Sequence, residues 1–290
     1  MRNLRPIEGI LICGISYLIS TLSVVVLGTS VSARTGTLIS TVVLGGVAGL
    51  LVRSMTGGIR PYVNLGLARA RFVLYAVLAS FAIVIPAMSL EAVVASRYKV
   101  PPEIVKGLDE IIRARSLPEL FYVVLVAAVG AALCEEFVFR GILQRSLTSR
   151  LGGWGAILVT SMVFGVLHTV WRLPAAFILG LFLGVLYWRS QSLLPPVVAH
   201  FTINCLAIVA IFVEETYGEA SMPLWAREER PAPLWMIAAS AVIFLVLLRA
   251  LWKEGAPTAQ GQSFAIGPSA AGEASSGSFS SDGRDGGEGR

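Results

Sequence analysis

Apolar residues in this chain run in long stretches rather than in the narrow stripe of a soluble helix, and each stretch approaches the ~20 residues that cross a hydrocarbon core. They are read at 9–27, 37–52, 72–90, 120–139, 154–170, 173–188, 193–213 and 234–252. The pattern predicts an all-α, polytopic membrane protein of about eight transmembrane helices. Between the third and fourth stretches, 91–118 mixes Arg97, Lys99, Lys106, Arg113 and Arg115 with Glu103, Asp109 and Glu110. A short amphipathic helix at the interface, serving as a lid or substrate guide, is expected there. Beyond Lys253 the chain turns to Gly, Ser and Ala with scattered charge, a composition that cannot bury enough apolar surface to fold. The chain thus divides into helices 1–3 with the interfacial loop (1–116), a helical core (117–253) and a disordered tail (254–290).

Composition agrees with this reading: 55% of residues are apolar and 14% charged, outside the range of an ordinary soluble domain. The net charge of +5 is carried almost entirely by Arg and is attributed to cytoplasmic loops, not to nucleic-acid binding. Arg2 and Arg5 precede the first span, and Arg53, Arg60, Arg69 and Arg71 crowd the second loop without an acid. By the bias of basic loops toward the cytoplasm, both termini are expected there, with Glu214, Glu215, Glu219, Glu228 and Glu229 outside. The Arg-rich, Lys-poor usage points to a microbe and hence a prokaryotic plasma membrane. An alternative for the first span is a signal peptide, since Val31 to Ala33 loosely fits a small-residue cleavage site. Cys13, Cys134 and Cys205 fall within apolar spans and imply no disulfide framework.

Against this background the ionisable groups inside the apolar stretches are the candidates for function. The chain has two histidines, His168 and His200, and both lie in such stretches. A third stretch carries the adjacent carboxylates Glu135 and Glu136. Glu136 and Arg140 share a helix face at i, i+4, so Glu136 is expected to pair with Arg140, leaving Glu135, about 100° around the helix, free for chemistry. Phe164 and His168 lie one turn apart, and so do His200 and Asn204. Together these segments hold a general base, two imidazoles and an amide donor, the inventory needed to activate water and stabilise an oxyanion. Each segment also has a bland reading, as an interfacial helix end or an interhelical hydrogen bond.

The order EExxxR, FxxxH and HxxxN on successive helices resembles the CAAX-protease and bacteriocin-processing family of intramembrane endopeptidases, over about 117–213. The resemblance implies an eight-helix fold with a conical cavity open to membrane and cytoplasm, and cleavage near a substrate C-terminus. It further implies that Glu135 deprotonates water, His168 positions it, His200 and Asn204 form the oxyanion hole, and Glu136, Arg140 and Phe164 support the site. Members are described both as metalloproteases and as metal-free glutamate peptidases. The metal-free mechanism is preferred here, because the sequence lacks an HExxH pair; with Zn²⁺ the ligands would be Glu135, His168 and His200. The expected partners are the bilayer and a membrane-associated protein or lipidated peptide substrate, prenylated in the family's eukaryotic cases. Competing readings are a non-catalytic scaffold or immunity protein, and a proton-coupled transporter using the carboxylates and histidines as a relay.

Overall fold

The computed structural model describes residues 2–27, 30–66, 68–98, 100–218 and 231–254. Lys99, Glu219, Glu228, Glu229 and the Gly/Ser-rich stretch beyond Glu254 lie outside the described residues. Eight helices follow one another, with no strand among the described residues: α1 (Pro6–Leu27), α2 (Ala33–Thr56), α3 (Ala70–Arg97), α4 (Pro102–Ile112), α5 (Leu117–Val166), α6 (Leu173–Ser190), α7 (Leu194–Tyr217) and α8 (Leu234–Glu254). All but α4 are long and apolar enough to cross a membrane. The chain is an all-α, multi-pass membrane protein. The amphipathic segment expected between the third and fourth spans is α4, none of whose residues is buried.

The fourth and fifth predicted spans belong to one helical stretch, α5. A straight helix of 50 residues would be about 75 Å long, more than twice the ~30 Å of hydrocarbon. It does not run straight: Gly152 has φ 68° and ψ 178°, a backbone conformation open to glycine and strained for other residues. The chain reverses there. The proof is Phe139 and Phe164, on opposite sides of Gly152, whose ring centroids lie 5.0 Å apart. The two predicted spans are therefore the two arms of α5.

Helix starts follow local chemistry. Ser116 Oγ accepts the Glu119 N–H at the head of α5, and α5, α6 and α7 each carry proline in the first turn, where its missing N–H costs nothing. Pro86 lies inside α3 and cannot donate to the carbonyl of Ala82, one turn back. Ser240 Oγ of α8 donates to that carbonyl instead, so the interruption in α3 is satisfied by its neighbour.

Three apolar clusters result: the smallest, around Val123, Ala128 and Ile208, and two larger cores. One gathers α1, α2 and both arms of α5 around Ile12, Leu44, Phe139, Leu143 and Phe164; the other gathers α3, α6, α7 and α8 around Ile83, Phe182, Leu186, Ile203 and Leu251. At one end of the bundle Arg2 donates to Met55 O, Asn64 to Gln191 O and Arg69 to Glu254 O, which brings both ends of the described chain and the loop after α2 together. At the other end Arg34 meets Glu119, and Arg113 meets Glu215. Residues 60 and 106 are exposed and mark these opposite ends. In intact cells, a membrane-impermeant thiol reagent is expected to label Lys106→Cys directly and Arg60→Cys only after permeabilisation. Labelling of both from one side would contradict this topology.

Candidate active site

The first arm of α5 departs from α-helical pairing twice, at the π-helical stretches Val124–Gly130 and Phe137–Gln144. Such wide turns recur at functional sites because they re-aim side chains. Every residue of the second stretch is buried, Arg140 and Gln144 included. Arg140 Nη2 donates to Gly180 O and Gln144 Nε2 to Gly184 O, each at 3.0 Å, two matched rungs that fix α5 against α6. Gly141 has to be glycine for a different reason: a Cβ there would lie 2.3 Å from Tyr62 O, in the loop that presses on α5.

Glu136 lies at the centre, with no exposed surface. Its Oε1 accepts from Arg140 Nη1 at 2.9 Å and from His200 Nδ1 at 2.8 Å. The first contact joins neighbouring turns of one helix; the second joins residues 64 positions apart and has no counterpart in local sequence spacing. Phe164 is the other hub. Its ring takes the Arg140 guanidinium at 4.9 Å, packs against His168 at 4.6 Å and meets His200 edge-on at 6.0 Å, so it holds the cation and both imidazoles in one cluster.

The ring nitrogens acquire distinct roles from these bonds. His168 Nδ1 lies 2.7 Å from Phe164 O. A carbonyl only accepts, so Nδ1 carries the hydrogen, and in the neutral ring Nε2 is left as an acceptor. His200 likewise directs Nδ1–H at the Glu136 carboxylate, which fixes its ring as the aspartate fixes histidine in a serine-protease triad. Asn204 Nδ2 donates one hydrogen to Ala127 O at 3.1 Å, inside the first π-helical stretch, and the second amide hydrogen remains.

His168, His200, Asn204 and Phe164 line one cavity of about 160 Å³. It opens at the seam of the two cores, between the second half of α3, the first half of α6 and the middle of α7. Glu135 is half-buried, outside the residues that line this cavity, and its side chain makes no hydrogen bond or ion pair among the described residues. It lies within electrostatic reach of Tyr17 and Arg140. Among the described residues no group of three or more His, Cys, Asp and Glu side chains lies together in a way that could hold a metal ion.

Two residues near the site, one in the cavity wall and one beside Glu135, are not marked by the sequence pattern. Glu91 was assigned to the segment after the third span, yet α3 runs on to Arg97, and Glu91 accepts from Arg172 Nε at 2.7 Å at the cavity's edge. The signal was a single acid within reach of an apolar run. Tyr17, on α1, packs on Phe139 at 5.6 Å beside Glu135. The cavity also lies toward the end of the bundle away from the described termini. A cavity open to the cytoplasm and termini in the cytoplasm, both expected above, therefore point to opposite ends of this structure.

Residues 117–206, the segment that supplies Glu135, Glu136, Arg140, Phe164, His168, His200 and Asn204, match the family model "Type II CAAX prenyl endopeptidase Rce1-like". The chain carries an Rce1-like segment. Among curated proteins, an "Uncharacterized 24.3 kDa protein" of Escherichia coli is 32% identical over 101 residues, 33% of this chain and 46% of that protein. The "Putative membrane peptidase YdiL" of Bacillus subtilis (strain 168) is 25% identical over 87 residues, 30% of this chain and 36% of that protein. The chain spans less than half the length of these relatives. No solved structure matches at a significant level. The Rce1-like segment begins at the head of α5 and ends in the middle of α7, so α1–α4 and α8 lie outside the match.

Proposed function

We propose that this protein is an intramembrane endopeptidase that hydrolyses a peptide bond near the C-terminus of a membrane-associated protein or lipidated peptide. The observation that carries the reading is the convergence of His168, His200, Asn204 and Phe164 on one cavity, with His200 braced by a buried carboxylate. The Rce1-like match and the membrane-peptidase relative support it at the level of the family.

In this mechanism Glu135, which lies next to Glu136 but outside the cavity lining and would have to turn toward the cavity, takes a proton from water, and the oxygen adds to the scissile carbonyl carbon. His168 Nε2 holds the water as an acceptor. The oxyanion is received by the second Asn204 amide hydrogen and by His200, whose Nε2 donates when the ring is protonated. Collapse breaks the C–N bond, and the departing amine takes the proton from Glu135. No step of this route uses a metal. With the basic loops in the cytoplasm of a prokaryotic cell, the substrate would enter from the opposite leaflet, past Glu91 and Arg172.

The test compares protein termini in membranes that hold the intact protein with those that hold His168→Ala. His168 bonds only its own helix turn, so the substitution removes the acceptor at small cost to packing. New C-termini present with the intact protein and absent with the variant are expected. Identical sets of termini, in a host that carries substrate, would reject proteolysis in favour of a scaffold or a transporter.

A further inference from the structure

Three helix ends meet at the end of the bundle opposite the cavity mouth. Trp154 follows the reversal of α5, Trp188 precedes the end of α6, and Trp252 precedes the end of α8. Their ring centroids lie 5.5, 5.6 and 5.7 Å apart, with Trp154 and Trp252 stacked at 15°. Arg189 covers the Trp252 ring at 4.3 Å and donates to the Trp252 carbonyl. A groove of about 480 Å³ beside this cluster is lined by Trp154, Leu245, Leu248, Arg249, Trp252 and Lys253.

The charges in the groove are not balanced by any carboxylate among the described residues. Arg249 and Lys253 have no ion-pair partner among the described residues. The carboxylates at this end are engaged elsewhere, Glu8 by Arg2 and Arg5, and Glu254 by Arg69 at 3.8 Å. Buried Arg189 Nε has no hydrogen-bond partner. Tryptophan concentrates where hydrocarbon gives way to headgroups, and the wall below the two cations, Leu245 and Leu248, is apolar. Cations above, aromatic rings at the boundary and aliphatic side chains beneath follow the profile of a lipid from headgroup to acyl chain.

We infer that this groove is a binding site for an anionic phospholipid, with the headgroup phosphate between Arg249 and Lys253 and an acyl chain along Leu245 and Leu248. The site is separate from the proposed catalytic cavity and does not depend on the protease reading. A free phosphate would satisfy the cations but not the apolar wall, and a zwitterionic lipid would satisfy the wall while its ammonium offsets its phosphate.

The test uses the full-length protein in neutral detergent, with its thermal midpoint followed during titration with short-chain phosphatidylglycerol, short-chain phosphatidylcholine or inorganic phosphate. Phosphatidylglycerol is expected to raise the midpoint at lower concentration than phosphatidylcholine, and phosphate to leave it unchanged. Each basic residue near an anionic headgroup contributes about 5-fold in affinity. Lys253→Gln should therefore weaken phosphatidylglycerol binding about 5-fold, and Lys253→Gln with Arg249→Gln roughly 30-fold. Arg60→Gln with Arg71→Gln removes the same charge from the same end of the molecule and should bind as the unaltered protein does. Arg249→Lys with Lys253→Arg keeps both charges and should also retain binding, which separates loss of the site from loss of the fold. Equal effects of the two lipids, a full shift with phosphate alone, or equal weakening by the Arg60 and Arg71 pair would overturn the proposal.

Discussion

Glu135→Gln is expected to lower turnover by about 10²–10⁴-fold, the usual contribution of a positioned general base, while the protein keeps its stability. The adjacent substitution Glu136→Gln should fail differently. The Glu135 side chain makes no hydrogen bond or ion pair among the described residues and is half-buried, so exchanging its carboxylate for an amide of the same shape removes a proton acceptor and little else. Glu136 accepts from Arg140 and His200 through one oxygen while fully buried. An amide oxygen there can still accept but carries no charge, which leaves the Arg140 cation uncompensated and weakens the hold on the His200 ring, so both unfolding stability and product formation should fall. The two variants are to be compared for new substrate C-termini and for thermal unfolding in the same detergent. A Glu136→Gln protein of full stability and no activity, beside an active Glu135→Gln protein, would exchange the roles of the two carboxylates.

What the sequence disclosed, and what it hid, divides along physical lines. Hydropathy locates the spans because each must satisfy its backbone internally and present an apolar surface to lipid. It ends the fourth span near Phe139, where Arg140 interrupts the apolar run. Arg140 is instead neutralised by Glu136, and Arg145 donates to Pro61 O, so charge that would end a lipid-facing helix is tolerated in one that faces protein. Glu91 was set outside the third span on the same reasoning, and its partner Arg172 lies 81 residues away, beyond any local pattern. The Glu136–Arg140 pair was legible because i, i+4 geometry is local. The bond from Glu136 to His200 was not, since it exists only once α7 is packed on α5. The tautomer of His168 likewise follows from a backbone carbonyl, to which residue spacing gives no clue.

Arg140→Met is expected to be among the most destabilising single changes in the protein, because it removes one partner from a buried ion pair and leaves the other. Such losses cost about 3–5 kcal/mol. Here the guanidinium also donates to Gly180 O at 3.0 Å and lies 4.9 Å from the Phe164 ring, so the same change frees the α5–α6 rung and one face of the aromatic hub. Adding Glu136→Met to Arg140→Met should restore part of the stability, since two apolar side chains in a dry interior need no partners, whereas a lone carboxylate does. Unfolding of the two single variants and the double variant in one detergent gives the cycle, and the double variant is expected to be more stable than the sum of the singles predicts. Activity should not return with stability, because the double variant has lost the carboxylate that aims His200. Additive losses would mean that Glu136 and Arg140 do not act as a pair. Recovery of turnover along with stability would mean that His200 does not need Glu136, which would remove the brace on which the proposed oxyanion role depends.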